Sequence, residues 1–228
     1  MPGMLDLPVK TLRPFSAVVF DMDGTLLDTE AVFREIVFDV CDGLGFAMTN
    51  EVHLAMVGVS HETTKRLLLD TYGSDFPQAV FDLQCREKMH HRMEQDVPVK
   101  AGVHELLAEL AARRIPAAVA TSSRSPHAIG HLGKAGIIES FATIVTRDHV
   151  TNPKPHPEPY LLAAGRLGLD PASCIAVEDS HVGVRAAHAA GMQTIMVPDL
   201  IHPSDEVAAL CAHVMESLHH LRQAAFTG

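Results

Sequence analysis

Apolar and polar positions along the chain follow two different rhythms, and the switch between them organises the reading. Phe15-Ser16-Ala17-Val18-Val19-Phe20 is short, apolar and rich in β-branched residues, the pattern of a buried strand. From there to about residue 97 every periodic stretch is helical. Glu30 to Val40 carries Val32, Ile36 and Val37 on one face, before Gly43, Gly45, Thr49 and Asn50 interrupt it. A shorter helix runs from Glu51 to Met56, and Gly58-Val59-Ser60 breaks the pattern again. Ser60 then starts a helix that ends near Tyr72-Gly73, and Phe76 to Met93 forms a fourth, well charged one.

After Val97-Pro98-Val99 strands and helices alternate. Gly102 to Arg114 is an amphipathic helix bearing Val103, Leu106, Leu107 and Leu110. Pro116 to Ala120 reads as a strand ending in Thr121-Ser122-Ser123, and Pro126 begins a helix closed around Gly133 and Gly136. Phe141 to Val145 is a third strand. Glu158 to Leu167 is a helix with Gly168 past its end. Cys174 to Val177 is a fourth strand running into Glu178-Asp179, Val182 to Ala190 a helix stopped by Gly191, and Gln193 to Val197 a fifth strand. The tail from Asp205 reads as helical.

Such alternation implies a parallel sheet with right-handed crossovers. The first strand has no strand neighbours in sequence and needs that sheet for partners. The expected fold is therefore α/β: a Rossmann-like parallel core from residues 1–28 and 98–228, with an all-helical cap, residues 29–97, inserted after the first strand.

Composition narrows the function classes. The chain has 228 residues, of which 47% are hydrophobic and 20% charged, enough for a core and too apolar for disorder. A formal net charge of −10 argues against nucleic acid or an acidic membrane surface as partner. An anionic small substrate stays compatible, because a bound cation and local donors can reverse the sign inside a cleft. Cys41, Cys85, Cys174 and Cys211 form no CxxC pair, which favours a reducing compartment over a zinc site or disulfide framework. The opening residues lack the basic and apolar regions of a signal peptide, and no stretch approaches a membrane span. The expected location is the cytoplasm. Fifteen histidines make no zinc pattern and read as solvated surface residues.

The chemistry gathers at strand ends. Asp21 and Asp23 leave the first strand one residue apart, with Gly24 directly after them. In open α/β sheets ligands sit beyond the carboxyl ends of the strands, and a glycine there permits close approach of the backbone. Two unpaired carboxylates this close repel, an objection that a hard divalent cation removes. Thr121 ends the second strand, Lys154 follows the third in a loop stiffened by four prolines, and Glu178-Asp179 ends the fourth. Taken singly, each has a bland explanation as a turn, a helix cap or a solvated charge. Taken together they supply a cation site beside a hydroxyl and an ammonium, which is what phosphoryl transfer requires.

These residues resemble the motifs of the haloacid dehalogenase superfamily, in the subgroup with a helical cap after the first motif. Asp21, Asp23, Gly24 and Thr25 match its Asp-x-Asp-Gly-Thr/Val signature, Thr121 its second motif, Lys154 its third, and Glu178 and Asp179 its acidic fourth. The resemblance spans about residues 16–200 and is nearest to the β-phosphoglucomutase-like sugar-phosphate and nucleotide-like phosphatases. It implies Asp21 as nucleophile and Asp23 as general acid and base. It further implies phosphate binding by Thr121, the Ser122 amide, Lys154 and Gly24, and Mg2+ held by Asp21, the Asp23 carbonyl and Asp179, with Glu178 direct or through water. Gly58, Ser60, His61 and Ser123 are the substrate-specificity candidates, and the hinges of the cap are expected near Asp28-Thr29 and Val97-Pro98.

The resulting expectation is a Mg2+-dependent phosphatase acting on a small phosphorylated metabolite through an aspartyl-phosphate. A hexose-phosphate mutase is the alternative. Against it, the mutases commonly carry an arginine where this chain has His61, and an imidazole is poorly suited to a second phosphate. A phospho-receiver signalling protein shares the Asp, Thr and Lys but has no helical insertion. Asp23 argues against carbon–halogen cleavage, since the dehalogenases lack it. The oligomeric state is not legible.

Overall fold

The computed structural model describes residues 12–57, 59 and 61–226. Gly58 and Ser60, both specificity candidates, and the expected helix start at Ser60 lie outside the described residues. The sheet contains β1 (Ala17–Phe20), β2 (Ala117–Ala120), β3 (Phe141–Val145), β4 (Cys174–Glu178), β5 (Gln193–Met196) and β6 (His213–Val214). Their order is β3-β2-β1-β4-β5-β6, and each pairing is parallel. The chain therefore winds one way from β1 to β3 and the other way from β4 onward. That reversal makes the gap between β1 and β4 the switch point, where such sheets hold ligands.

Period-two alternation explains why the strands are apolar on both sides. Val18 and Phe20 face one layer, with Val103, Leu106 and Leu110 of α5 (Val103–Ala112), Leu132 of α6 (Ser125–Lys134) and Leu221 of α10 (Leu218–Phe226). Ala17 and Val19 face the other, with Tyr160, Ala163 and Ala164 of α7 (Glu158–Leu167) and Ala186 and Ala187 of α8 (His181–Ala189). This second layer is built largely of alanine, so its helices sit close to the strands.

Between β1 and α5 the described residues hold four helices: α1 (Thr29–Gly43), α2 (Asn50–Met56), α3 (His61–Tyr72) and α4 (Gln78–Gln95). Phe76, expected inside the fourth helix, precedes it and packs in an aromatic cluster with Phe46, Tyr72 and Phe81 at centroid separations of 5.0–5.4 Å. The two connections to the core run side by side. Leu27 bridges Val99 in antiparallel fashion, the Asp28 amide donates to the Pro98 carbonyl at 2.9 Å, and the Lys100 amide donates to Leu26 at 2.9 Å.

The tail departs from the continuous helix expected after Asp205. It forms α9 (Asp205–Leu210), the short β6 and α10. β6 exists because the Ala212 amide donates to Thr194 at 2.7 Å and the Met215 amide to Met196 at 2.8 Å, extending the open edge of β5. No helix among the described residues is long and apolar enough to cross a membrane.

α5 starts at Gly102, which holds φ +91° as the N-cap, and a Cβ there would lie 2.9 Å from the His219 backbone nitrogen in α10. Gly191 has a similar φ of +81° but open space around it. Alanine at either site incurs the left-handed backbone cost of about 1–2 kcal/mol. Gly102→Ala must also displace α10, so urea denaturation is expected to show it as clearly the more destabilising of the two. Equal losses would mean that α10 does not bear on α5 there.

Candidate active site

The site is built at the carboxyl ends of β1 and β4. The Asp21 amide donates to the Val177 carbonyl at 2.9 Å, which ties the first acidic residue to the neighbouring strand. The chain then turns back on itself: Leu26 and Leu27 both donate to the Met22 carbonyl and Gly24 donates to Leu27, each at 2.9 Å. Gly24 adopts φ +82°, and a Cβ on it would come within 2.3 Å of Asp179 Oδ2. Glycine at this point thus serves both the turn and the close approach of a carboxylate. Thr25 Oγ1 donates to the other oxygen of Asp179 at 3.2 Å.

Lys154 closes the site from the loop before α7. Its ammonium donates to Asp21 Oδ1 at 2.5 Å and to Glu178 Oε1 at 2.6 Å, and its side chain is only 4% exposed. Glu178 is fully buried and held from several sides. Tyr160 OH donates to Oε1 at 2.6 Å and Ser180 Oγ to Oε2 at 3.0 Å. Gly183, in the first turn of α8, leaves the room: a Cβ would fall 1.7 Å from Glu178 Oε1.

Asp21, Glu178 and Asp179 can each offer an oxygen such that all three lie within 4.8 Å of one another. One ammonium faces these three carboxylates, an excess of negative charge in a buried place. Burial pushes the Asp21 carboxyl up to about 8, Glu178 and Asp23 add to the rise, and Lys154 opposes it. Burial also lifts Asp179 well above the usual carboxylate range, with Asp21 and Glu178 contributing. For Lys154, burial works against the charge, but Asp21 and Glu178 outweigh it and the ammonium is held more firmly than usual. A divalent cation is the group that such an oxygen set fits, since it would supply the missing positive charge without needing a soft ligand.

Asp23 is oriented separately. Thr29 Oγ1 donates to its Oδ1 at 3.2 Å and Ser123 Oγ to its Oδ2 at 2.7 Å. Thr121 is buried, and its hydroxyl oxygen accepts from the Ser123 amide at 2.9 Å, which leaves its own proton to donate. The structure therefore brings Asp21, Lys154, Glu178 and Asp179 into one contact network with Gly24 against it. Asp23 joins through Ser123 to the loop of Thr121 and Ser122, of which Ser122 is exposed.

His61 stands apart from this network. Its Nε2 lies 3.1 Å from Asp82 Oδ2 on the wall of a cavity that the helical insertion shares with His127 and His131 of α6. Ser123, expected as a specificity residue, binds Asp23. The histidines are not uniformly solvated either: His53 is buried, with Nδ1 lacking a partner.

Sequence reading passed over Tyr160, Thr29 and Ser180 as site residues. Tyr160 had a usable signal. It shares the buried face of α7 with Ala163 and Ala164, and a buried tyrosine hydroxyl needs a partner. Ser180 follows the acidic pair and caps α8, its side chain accepting from the Gly183 amide at 3.1 Å.

The comparisons agree with this geometry. The family model of haloacid dehalogenase-like hydrolases matches residues 18–197. A phosphorylated carbohydrates phosphatase of Thermotoga maritima is 31% identical over 194 residues, covering 85% of this chain and 89% of that protein. A probable pseudouridine-5'-phosphatase of Drosophila melanogaster is 32% identical over 225 residues, covering 95% and 96%. Among solved structures, a family hydrolase of Deinococcus radiodurans with bound phosphate and sodium superposes with a TM-score of 0.82 at 29% identity, covering 93% of this chain and 95% of that one.

The raised carboxyls have a thermodynamic consequence whose sign is fixed. Asp21 titrates near 3.8 when unperturbed and at about 8 in the fold. The folded state thus holds a proton that the unfolded state has lost, and this contribution to stability fades as pH rises from about 4 through 8. Melting in EDTA is expected to weaken over that window, and Asp21→Asn to flatten the trend. Added divalent cation should raise the melting temperature strongly at pH 8 and little at pH 5, where the carboxyls keep their protons. A cation effect of equal size at both pH values would contradict the assignment.

Proposed function

The chain belongs to the haloacid dehalogenase-like hydrolases, and from that starting point we propose that Asp21 and Asp23 divide the labour of phosphate-ester hydrolysis between them. The protein is a phosphoric monoester hydrolase acting on a small phosphorylated metabolite. One observation carries the division of roles: the two aspartates, one residue apart, are held by different partners. Asp21 is engaged by an ammonium and sits among the acidic groups, whereas Asp23 accepts from two hydroxyls.

Asp21 is the nucleophile. Its oxygen bonds to phosphorus as the bond from phosphorus to the leaving oxygen breaks, giving an aspartyl-phosphate. Lys154 serves this step by opposing the rise in the Asp21 pKa, so that less further positive charge is needed to ionise the carboxylate, and by neutralising charge on the incoming phosphate. Asp23 delivers a proton to the leaving alkoxide and then takes one from the water that attacks phosphorus in the aspartyl-phosphate, as the bond from phosphorus to the Asp21 oxygen breaks and releases inorganic phosphate. A hydroxyl can donate to a carboxylate or accept from a carboxylic acid. Thr29 and Ser123 can therefore hold Asp23 in both protonation states without moving it. Thr121, with the Ser122 amide, grips the phosphate oxygens.

Magnesium is the cation that the all-oxygen set suits best, held by Asp21, Asp179 and the Asp23 carbonyl. When bound it supplies charge neutralisation for the transferring phosphoryl group. Glu178 accepts from Lys154, Tyr160 and Ser180, so its main work is to hold the lysine against Asp21. The helical insertion, residues 29–97, acts as a cap moving on the paired connections at Leu27–Asp28 and Pro98–Val99. The mutase alternative is disfavoured, because the position it reserves for an arginine is a histidine already paired with Asp82.

Phosphate release from a panel of phosphorylated metabolites is expected with Mg2+ and to be lost in EDTA. Asp21→Asn should abolish turnover, and Asp23→Asn should lower kcat by about 10²–10⁴-fold, both with unchanged circular dichroism. Full turnover by Asp21→Asn would overturn the mechanism.

A further inference from the structure

The two connections between the helical insertion and the core carry a second charged cluster, apart from the acids around Lys154. Lys100 lies on the second connection, with its amide pinned to Leu26 of the first. Its ammonium donates to Asp199 Oδ1 at 2.7 Å and reaches Asp28 Oδ1 at 3.4 Å. Asp199 belongs to the core, in the loop after β5 whose Val197 amide donates to the Glu178 carbonyl at 2.7 Å. Asp28 belongs to the first connection, immediately before α1. One ammonium therefore ties a fixed core loop to the start of the insertion.

Two features set this cluster apart from an ordinary surface ion pair. The first is burial. The side chain of Lys100 is 22% exposed and that of Asp199 13%, and Asp199 Oδ2 is buried without a partner, so this carboxylate depends on the lysine. The second is a cap that is not made. Asp28 occupies the N-cap of α1, where an aspartate ordinarily accepts from an amide of the first turn. It makes no such bond, and its carboxylate turns to Lys100 instead. Burial works against the charge on Lys100, but Asp199 and Asp28 outweigh it and the ammonium is retained. Glu30, in the first turn of α1, is within electrostatic reach of Asp199, Asp23 and Lys100, which adds a further acid to the junction. Without Lys100 the carboxylates of Asp28 and Asp199 would face each other uncompensated, and their repulsion would push the start of α1 off the core.

The residue after Asp28 is Thr29, whose hydroxyl donates to Asp23 Oδ1 at 3.2 Å. We propose that Lys100 is a positioning residue for phosphate-ester hydrolysis, holding Asp28 to Asp199 so that Thr29 keeps Asp23 aimed at the leaving oxygen. It acts through the backbone from Asp28 to Thr29, not on the substrate. This rests on the phosphatase reading above and gives its acid–base step a residue from the second connection.

A misplaced Asp23 is a poorer acid, and the defect shows only where the leaving group needs a proton. Because kcat/KM reports the step that forms the aspartyl-phosphate, it is compared for two esters of similar shape. Phenyl phosphate releases a basic phenolate, whereas p-nitrophenyl phosphate releases a stabilised one that needs little help. Lys100→Met keeps the length of the side chain and removes its charge. Of the roughly 10²–10⁴-fold that a positioned acid contributes, this variant is expected to forfeit about tenfold on phenyl phosphate and under about twofold on p-nitrophenyl phosphate. Thr29→Val should show the same selective loss, and the double variant no more than the larger single one, because both act at Asp23. Should Lys100→Met melt early, Asp28→Ala carries the same expectation and leaves the pair of Lys100 with Asp199 in place. Equal losses on the two esters, the result of a merely structural role, or additive losses in the double variant would overturn the inference. A wild type that releases phosphate from no ester would instead overturn the phosphatase reading.

Discussion

A single buried ammonium holds the centre of this molecule together. Lys154 comes from the loop before α7, Asp21 from the end of β1 and Glu178 from the end of β4, and the lysine contacts both acids. These are the two strands that flank the reversal in sheet order, so the ion pairs lock the crevice at the point where the fold opens. Stripping one partner from such a buried arrangement typically costs about 3–5 kcal/mol, because the remaining charge is left uncompensated. The cost of keeping it is also visible. Three carboxylates against one ammonium leave a deficit of positive charge that the protein's own side chains do not make up. Stability and metal dependence are thereby features of the same few atoms.

The rest of the site supports that lysine or the acids beside it. Tyr160 and Ser180 fix Glu178, and Gly183 gives it space. Gly24 does the same for Asp179. Asp23 is positioned independently, by one hydroxyl from the start of the helical insertion and one from the loop after β2. Its placement therefore depends on how the insertion meets the core, whereas that of Asp21 depends on the core alone.

The residues gathered at the candidate site were legible in the sequence because each follows a short apolar strand, and a parallel sheet brings such ends together. Asp21, Thr121, Lys154, Glu178 and Asp179 all stand out on that rule. The helical character of residues 29–97 was equally plain, since the period of 3.6 is sustained there. What escaped had no local signature. β6 is two residues long, too short to show alternation, and exists only because the edge of β5 is open to it. Tyr160 is the exception, since its place on the buried face of α7 implies a partner for its hydroxyl without saying which. Ser123 reads as part of a polar loop, and its tie to Asp23 links residues 100 apart in sequence. Strand order, too, depends on which way each crossover turns, and no single segment records that.

The alanine-rich face of the sheet has a consequence for how the protein can change. On the opposite face the spacing between helix and strand is filled by Leu, Val and Phe, which can be exchanged for one another as neighbours shift. Here it is set by the methyl groups of Ala17, Ala118, Ala176, Ala163 and Ala164 in contact across the layer. Almost every substitution at these positions adds atoms, and the added thickness has to be taken up by moving α7. Because α7 carries Tyr160 and follows directly on the loop of Lys154, a change made far from the acidic cluster would still alter the separations within it. This layer works as a spacer whose gauge is one methyl group, and drift in the family is expected to be far freer on the side that faces away from it.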